Sequence, residues 1–483
     1  MRKTFASSIV KLSLSVVIVI VTIWLVRAFD SRRLPDLKVW HTLEISHEFK
    51  ASDRSAEYNY EDYLATEQHV FDELAMLIER RPHPEEPQFL NRYSPHSPLN
   101  PSNHERNWNR SFELRPEHPV GGILLLHGLT DSPYSVRALA EIFFNKGYYV
   151  LAPRMPGHGT LPGELRRARI ADWQAVIELA VPHLRQIIGD DRPFLLSGYS
   201  NGGLLALDYV LASLERVDFE TPKRLYLFSP ALAVSEFAAL ANWHKVLSKI
   251  PYFHKFQWES VLPEYDPYKY NSFPKQAGAE TYELTRRVHA ALTRHVDNPA
   301  NTKSPAVLAF QSLVDSTVKT DAVVNKLFDY LQDDRHELVL FDVNRFSEIR
   351  MMFNNEHMML IDELREAKDQ NFSVTLVTNV DSGKEEVVAI TKSDDTMTEN
   401  RLNYSWPTQV YSLSHVAVPI RPDDPLYGGN SSESVYGINL GSLVPRGEKN
   451  VLGISKELLM RLRYNPFFGY MQDRIEATLA HVE

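Results

Sequence analysis

An α/β architecture, a mainly parallel sheet flanked by helices, is predicted for this 483-residue chain by three observations. Short apolar runs of strand length alternate with longer stretches whose apolar residues recur at helical spacing, from residue 120 to 230 and again from 305 to 343. The strand runs are apolar at nearly every position, as in a parallel sheet covered on both faces. Finally, 43% hydrophobic and 24% charged residues are ordinary globular values, so the chain can bury a sizeable core.

The elements follow in order. Residues 120–126, VGGILLL, read as a buried strand, followed by the turn HGLTDSP and the helical pattern VRALAEIFFNKG. YYVLAP is a second strand, PRMPGHG a loop, and ADWQAVIELAVPHLRQI a helix. PFLLSG then leads directly into the helix NGGLLALDYVLASL, and RLYLFSP at 224–230 is a fourth strand. Residues 236–303 break the alternation with aromatic and basic residues and one helical stretch, which suggests a cap over the sheet's active edge. The alternation resumes with PAVLAFQSLVD and ELVLFDV. A second insertion, 344–406, is expected to hold a helix, FSEIRMMFNNEHMMLIDELREA, and a hairpin turning at Asp381-Ser382-Gly383. VYSLSH and a closing helix complete a predicted catalytic domain over 119–483.

Residues 31–118 precede this body as a polar extension with one amphipathic helix in 58–81 and a Pro- and Asn-rich loop after it. Residues 1–30 carry LSLSVVIVIVTIWLV between Lys11 and Arg27. Counted over residues 9–26, a helix there would be roughly 27 Å long, so a single-pass membrane anchor with a translocated catalytic domain is expected, a cleaved signal peptide being the rival. The net charge of −10, without a basic patch, argues against nucleic acid as a partner. The absence of cysteine excludes disulfides, thiolate metal sites and a thiol nucleophile.

The chemistry concentrates around Ser200 in Gly198-Tyr199-Ser200-Asn201-Gly202. A serine on a sharp turn between strand and helix is forced into a strained backbone conformation, which flanking glycines permit, and its hydroxyl stands above the sheet at a helix N-terminus. Attack by such a serine creates an oxyanion that needs two backbone N–H donors, assigned to Asn201 and to Leu129 of His127-Gly128-Leu129. His127 is expected to stabilise that turn rather than act as base. The acid is expected at Asp315, at the end of a later strand, with Asp321 the competitor and a helix-start role its simpler explanation. Among 18 histidines, His415 is the candidate base, since it follows a short strand and begins a loop. His336 lies at the entering end of its strand and His357 within a methionine-rich helical pattern.

The motifs HGLTDSP at 127–133, PRMPGHG at 153–159, GYSNGG at 198–203, VDSTV at 314–318 and SHV at 414–416 resemble the α/β-hydrolase superfamily, in the branch of monoacylglycerol lipases, carboxylesterases and serine aminopeptidases. The resemblance covers about residues 119–345 and 407–483, with the chain order Ser, Asp, His typical of that fold. It implies hydrolysis of an acyl ester or lipid through an acyl-enzyme on Ser200. An amidase or aminopeptidase, or a non-catalytic binding protein on the same fold, are the alternatives. No metal-ligand spacing is present, and the implied mechanism calls for no cofactor. The interval from Asp315 to His415 is unusually long for such a protein.

Overall fold

The structure, a computed structural model, describes residues 2–31, 33–79, 90–233, 251–296, 304–346 (except 316, 319, 332 and 333), 366, 371–408 (except 382, 394 and 395), 410–429, 434–441 and 462–482. The strands are β1 (Phe112–Leu114), β2 (Gly121–Leu126), β3 (Tyr148–Ala152), β4 (Phe194–Tyr199), β5 (Arg224–Phe228), β6 (Trp258–Ser260), β7 (Phe273–Pro274), β8 (Ala306–Ser312), β9 (Glu337–Phe341), β10 (Ser373–Asn379), β11 (Glu386–Ser393) and β12 (Thr396–Ser405). The described helices are α1 (Arg2–Ser31), α2 (Val39–Thr42), α3 (Tyr60–Glu79), α4 (Arg137–Asn145), α5 (Ile170–Ile188), α6 (Asn201–Glu215), α7 (Lys275–Val296), α8 (Thr320–Lys326) and α9 (Phe468–Leu479).

Ten strands form one sheet in the order β1-β3-β2-β4-β5-β8-β9-β10-β11-β12. From β3 to β10 neighbours run parallel, while β1, β11 and β12 are antiparallel to theirs. This is the α/β-hydrolase fold the chain predicted. Alternate residues of the apolar runs serve opposite faces. Leu124, Leu196, Leu225 and Leu227 pack under α5 and α6. Ile123, Leu125, Leu195, Tyr226 and Phe228 pack toward α4 and α9, on the face where Phe228, Phe310, Phe341 and Phe467 stack in succession.

Three features depart from the sequence-based expectation. The first is the anchor and translocated domain expected from residues 9–26, which is overturned: among the described residues no helix is long and apolar enough to cross a membrane. α1 is long, but its uncharged run, residues 12–26 between Lys11 and Arg27, spans about 22 Å against about 30 Å of hydrocarbon. Secondly, the expected hairpin forms as β10 and β11, but it joins the main sheet, a placement that the sequence reading did not give. β10 pairs in parallel with β9, and β11 and β12 extend the same sheet. Thirdly, four of the described strands escaped the pattern: β1, β6 and β7, none longer than three residues, and β12, whose side chains lie largely exposed and so carry no apolar alternation. The helix expected at 346–367 and the first part of the cap, 236–250, fall almost wholly outside the described residues.

Candidate active site

β4 ends at Tyr199 and α6 begins at Asn201, so Ser200 alone makes the turn, at φ 55° and ψ −117°. For a residue with a side chain this conformation costs about 1–3 kcal/mol and persists only where the surroundings over-determine it. They do so here. Ser200 N–H donates to the Phe228 carbonyl at 2.9 Å, and the Ser200 carbonyl accepts from the N–H groups of Gly203, Leu204 and Ala231. The glycines are required by close approach. A Cβ on Gly198 would lie 2.2 Å from the Gly202 carbonyl oxygen, and one on Gly202 would lie 2.2 Å from that of Leu126. The helix start can therefore sit directly against the ends of β2 and β4.

The Ser200 hydroxyl meets His415 Nε2 at 2.9 Å, and His415 Nδ1 meets Asp315 Oδ2 at 2.7 Å. All three side chains are buried. Asp315 Oδ2 also accepts from Gln311 Nε2 at 3.1 Å, and Oδ1 accepts the Thr317 and Val318 N–H groups at 2.7 and 2.9 Å. Burial would raise this carboxyl, but His415 and the hydrogen bonds outweigh it and hold its pKa below the usual range. An ionised Asp315 takes the Nδ1 proton as its hydrogen bond, which leaves Nε2 a lone pair for the serine O–H.

Asp321, by contrast, receives the N–H of Ala322 at the start of α8. His336 Nδ1 accepts the Val307 N–H at the entering end of the sheet. His357 lies outside the described residues. His127 is engaged on the backbone: Nδ1 donates to the Gly128 carbonyl at 2.9 Å and Nε2 accepts the Met155 N–H at 2.9 Å. Burial, with the neighbouring His158 next, holds its pKa well below the ordinary value, so the ring stays neutral. The N–H groups of Leu129 and Asn201 have no protein acceptor among the described residues, and the Asn201 side chain is fixed by Thr281 Oγ1 at 3.2 Å.

Asp315 and His415 meet across 100 residues because the second insertion begins and ends at one place. Asn344, just past β9, donates its backbone N–H to the Tyr411 carbonyl at 2.7 Å and its Nδ2 to the Val410 carbonyl at 2.8 Å. Ser312 Oγ, at the end of β8, holds the Leu413 carbonyl at 2.7 Å. Sequence reading missed Gln311, Ser312 and Asn344. Their only local signal is a polar residue at the end of an apolar strand, which many structural residues share. Among the described residues no group of three or more His, Asp or Glu side chains is arranged to hold a metal ion.

The profile of the family described as serine aminopeptidase, S33 matches residues 117–400, more than half of the chain. The chain belongs to this family of α/β-hydrolases. It is similar to the thermostable monoacylglycerol lipase of Bacillus sp. (strain H-257), at 40% identity over 89 residues, which is 18% of this chain and 34% of that protein. It is also similar to phospholipase YtpA of Bacillus subtilis, at 29% identity over 96 residues, 20% of this chain and 36% of that one. The matched region thus spans about a third of the length of these two relatives. Among solved structures, the Paleococcus ferrophilus monoacylglycerol lipase covers 53% of this chain and 97% of its own at 21% identity, with a TM-score of 0.37. The family and both relatives carry the names of hydrolases.

Proposed function

We propose that this family member hydrolyses carboxylic acyl esters through an acyl-enzyme on Ser200. The observation that carries the proposal is the single imidazole of His415, within hydrogen-bond reach of Ser200 Oγ on one side and Asp315 on the other. In this mechanism Ser200 Oγ attacks the ester carbonyl carbon while His415 Nε2 takes the hydroxyl proton. The carbonyl oxygen becomes an oxyanion that accepts the N–H groups of Leu129 and Asn201. Collapse expels the alcohol, which leaves with the proton from His415, and water then repeats the sequence to release the acid. Asp315 stabilises the imidazolium formed at each attack. Residues 119–483 are the catalytic unit in this proposal, and the described part of the cap, 251–296, borders the substrate.

The test is covalent labelling of the full chain with a fluorophosphonate, alongside turnover of short- and medium-chain acyl esters. Labelling and turnover are expected in the wild type, and both should vanish in Ser200→Ala; turnover surviving that substitution refutes the mechanism. The family's name supports a second reading, an aminopeptidase, because the same residues can cleave an amide. Side-by-side turnover of an acyl ester and an aminoacyl amide separates the two, with the ester expected to be the faster by far.

A further inference from the structure

The loop of residues 153–159 stands between the N-terminal extension and the turn that carries Leu129. Its two glycines, Gly157 and Gly159, take positive φ of 83° and 73°, and the loop closes on itself through the His158 N–H to the Met155 carbonyl at 3.1 Å, with Trp173 Nε1 donating to the Pro156 carbonyl at 3.1 Å. The extension holds it too. Arg154 is wholly buried, and its guanidinium donates to both carboxylate oxygens of Glu48, at 3.0 and 2.8 Å, to Glu67 Oε2 at 3.3 Å, and to the His158 carbonyl at 3.0 Å. The backbone of Arg154 is held as well. Its N–H donates to Ser111 Oγ at 2.8 Å, and its carbonyl accepts the Tyr63 hydroxyl. Glu67 in turn accepts the N–H and hydroxyl of Ser111. The main chain of the extension also comes close, since a Cβ on Gly159 would lie 2.7 Å from the Asn109 carbonyl oxygen.

The next residue carries this constraint onward. Met155 N–H donates to His127 Nε2, and His127 Nδ1 donates to the carbonyl of Gly128, which immediately precedes Leu129. A buried arginine with one partner removed is strongly disfavoured, so the Glu48–Arg154–Glu67 cluster tolerates one arrangement where apolar packing would tolerate several. We infer that Arg154 is a positioning residue for the oxyanion turn, and that the extension, through Glu48, Tyr63 and Glu67, is a working part of the active site. The inference rests on the proposed serine hydrolase mechanism and adds to it a part of the chain lying ahead of the residues the family profile matches.

The experiment compares full-length wild type with Arg154→Met, Arg154→Lys and Glu48→Gln. Rates are expressed per site titrated with fluorophosphonate, so that misfolded molecules drop out. A turn displaced by about 1 Å weakens oxyanion stabilisation without removing it, so Arg154→Met should lower kcat per titrated site roughly 10- to 100-fold, with KM changed less than about threefold. Arg154→Lys, which keeps charge but not the fork, should fall between wild type and Arg154→Met. Glu48→Gln should lose about threefold. Inhibition by a phenylboronic acid, whose tetrahedral adduct places an oxygen at the same donors, should weaken in step with kcat. A lower titre with kcat per titrated site within twofold of wild type would mean that the cluster is structural only, and overturns the inference. Should Arg154→Met yield no folded protein, unchanged kcat and boronate affinity in Glu48→Gln overturn it equally. A wild type that cannot be titrated refutes the hydrolase mechanism itself, a separate and visible failure.

Discussion

Replacing Asp315 with asparagine tests the geometry of the site most sharply, because the structure leaves the amide no comfortable orientation. Four donors converge on the carboxylate: His415 Nδ1 and Gln311 Nε2 on Oδ2, and the N–H groups of Thr317 and Val318 on Oδ1. Whichever way an asparagine lies, its NH2 faces two of these donors. Each lost bond costs about 1–3 kcal/mol, so about 2–6 kcal/mol of local destabilisation is expected. The readiest relief is for the imidazole to change tautomer, accepting at Nδ1 and placing its N–H at Nε2 against Ser200. That removes the base, and kcat for a p-nitrophenyl ester should fall roughly 10³- to 10⁴-fold. Asp321→Asn is the matched control, since among the described residues its carboxylate receives a helix-start N–H and nothing else, and it should stay within twofold. Steady-state kinetics on both variants, with circular dichroism to establish folding, decide the matter. If Asp315→Asn kept more than a tenth of wild-type kcat, or Asp321→Asn fell equally far, the assignment would be wrong.

Other consequences are equally direct. Gly202→Ala places a methyl 2.2 Å from the Leu126 carbonyl and 2.6 Å from that of His127, both backbone, so it should lose about 3 kcal/mol or more in urea denaturation. Gly189→Ala, at φ 78° and ψ 170° with nothing within 4 Å, should lose only the backbone strain, about 1–2 kcal/mol; equal effects would refute the close-approach argument. Asn344→Ala frees the Val410 carbonyl beside the histidine loop and should lower kcat several-fold at unchanged KM; an unchanged kcat would show the loop to be held elsewhere. Glu164 is buried, and burial raises its carboxyl from 4.5 to about 7. Because this pKa is higher in the folded chain, its contribution to stability is complete below about 4.5 and is lost as the pH rises through about 7, by about 3 kcal/mol at most. Glu164→Gln can still accept the Ile45 N–H and should lack that slope, so it should gain on the wild type between pH 5 and 8; identical slopes would contradict the shift.

Much of the site was legible because its requirements are local. A serine forced alone between a strand and a helix needs glycine at Gly198 and Gly202, and both needs appear within five residues. The residues that bring His415 home were not legible. Asn344 and Ser312 are ordinary polar residues at strand ends until the fold sets the Val410, Tyr411 and Leu413 carbonyls beside them. The expected anchor was not found among the described residues, where no helix is long and apolar enough to cross a membrane; the uncharged run of residues 12–26 falls short of the hydrocarbon thickness.

Sequence alone determined the α/β class and the turn at Ser200, since both follow from periodicity and sterics over a few neighbouring residues. Only tertiary structure decided that the second insertion would extend the sheet and return to its starting point. The same is true of the distance between Asp315 and His415, and of the buried place of Arg154 between Glu48 and Glu67. These are pairings between residues far apart in the chain, and they exist only once the sheet has closed the distance and excluded water.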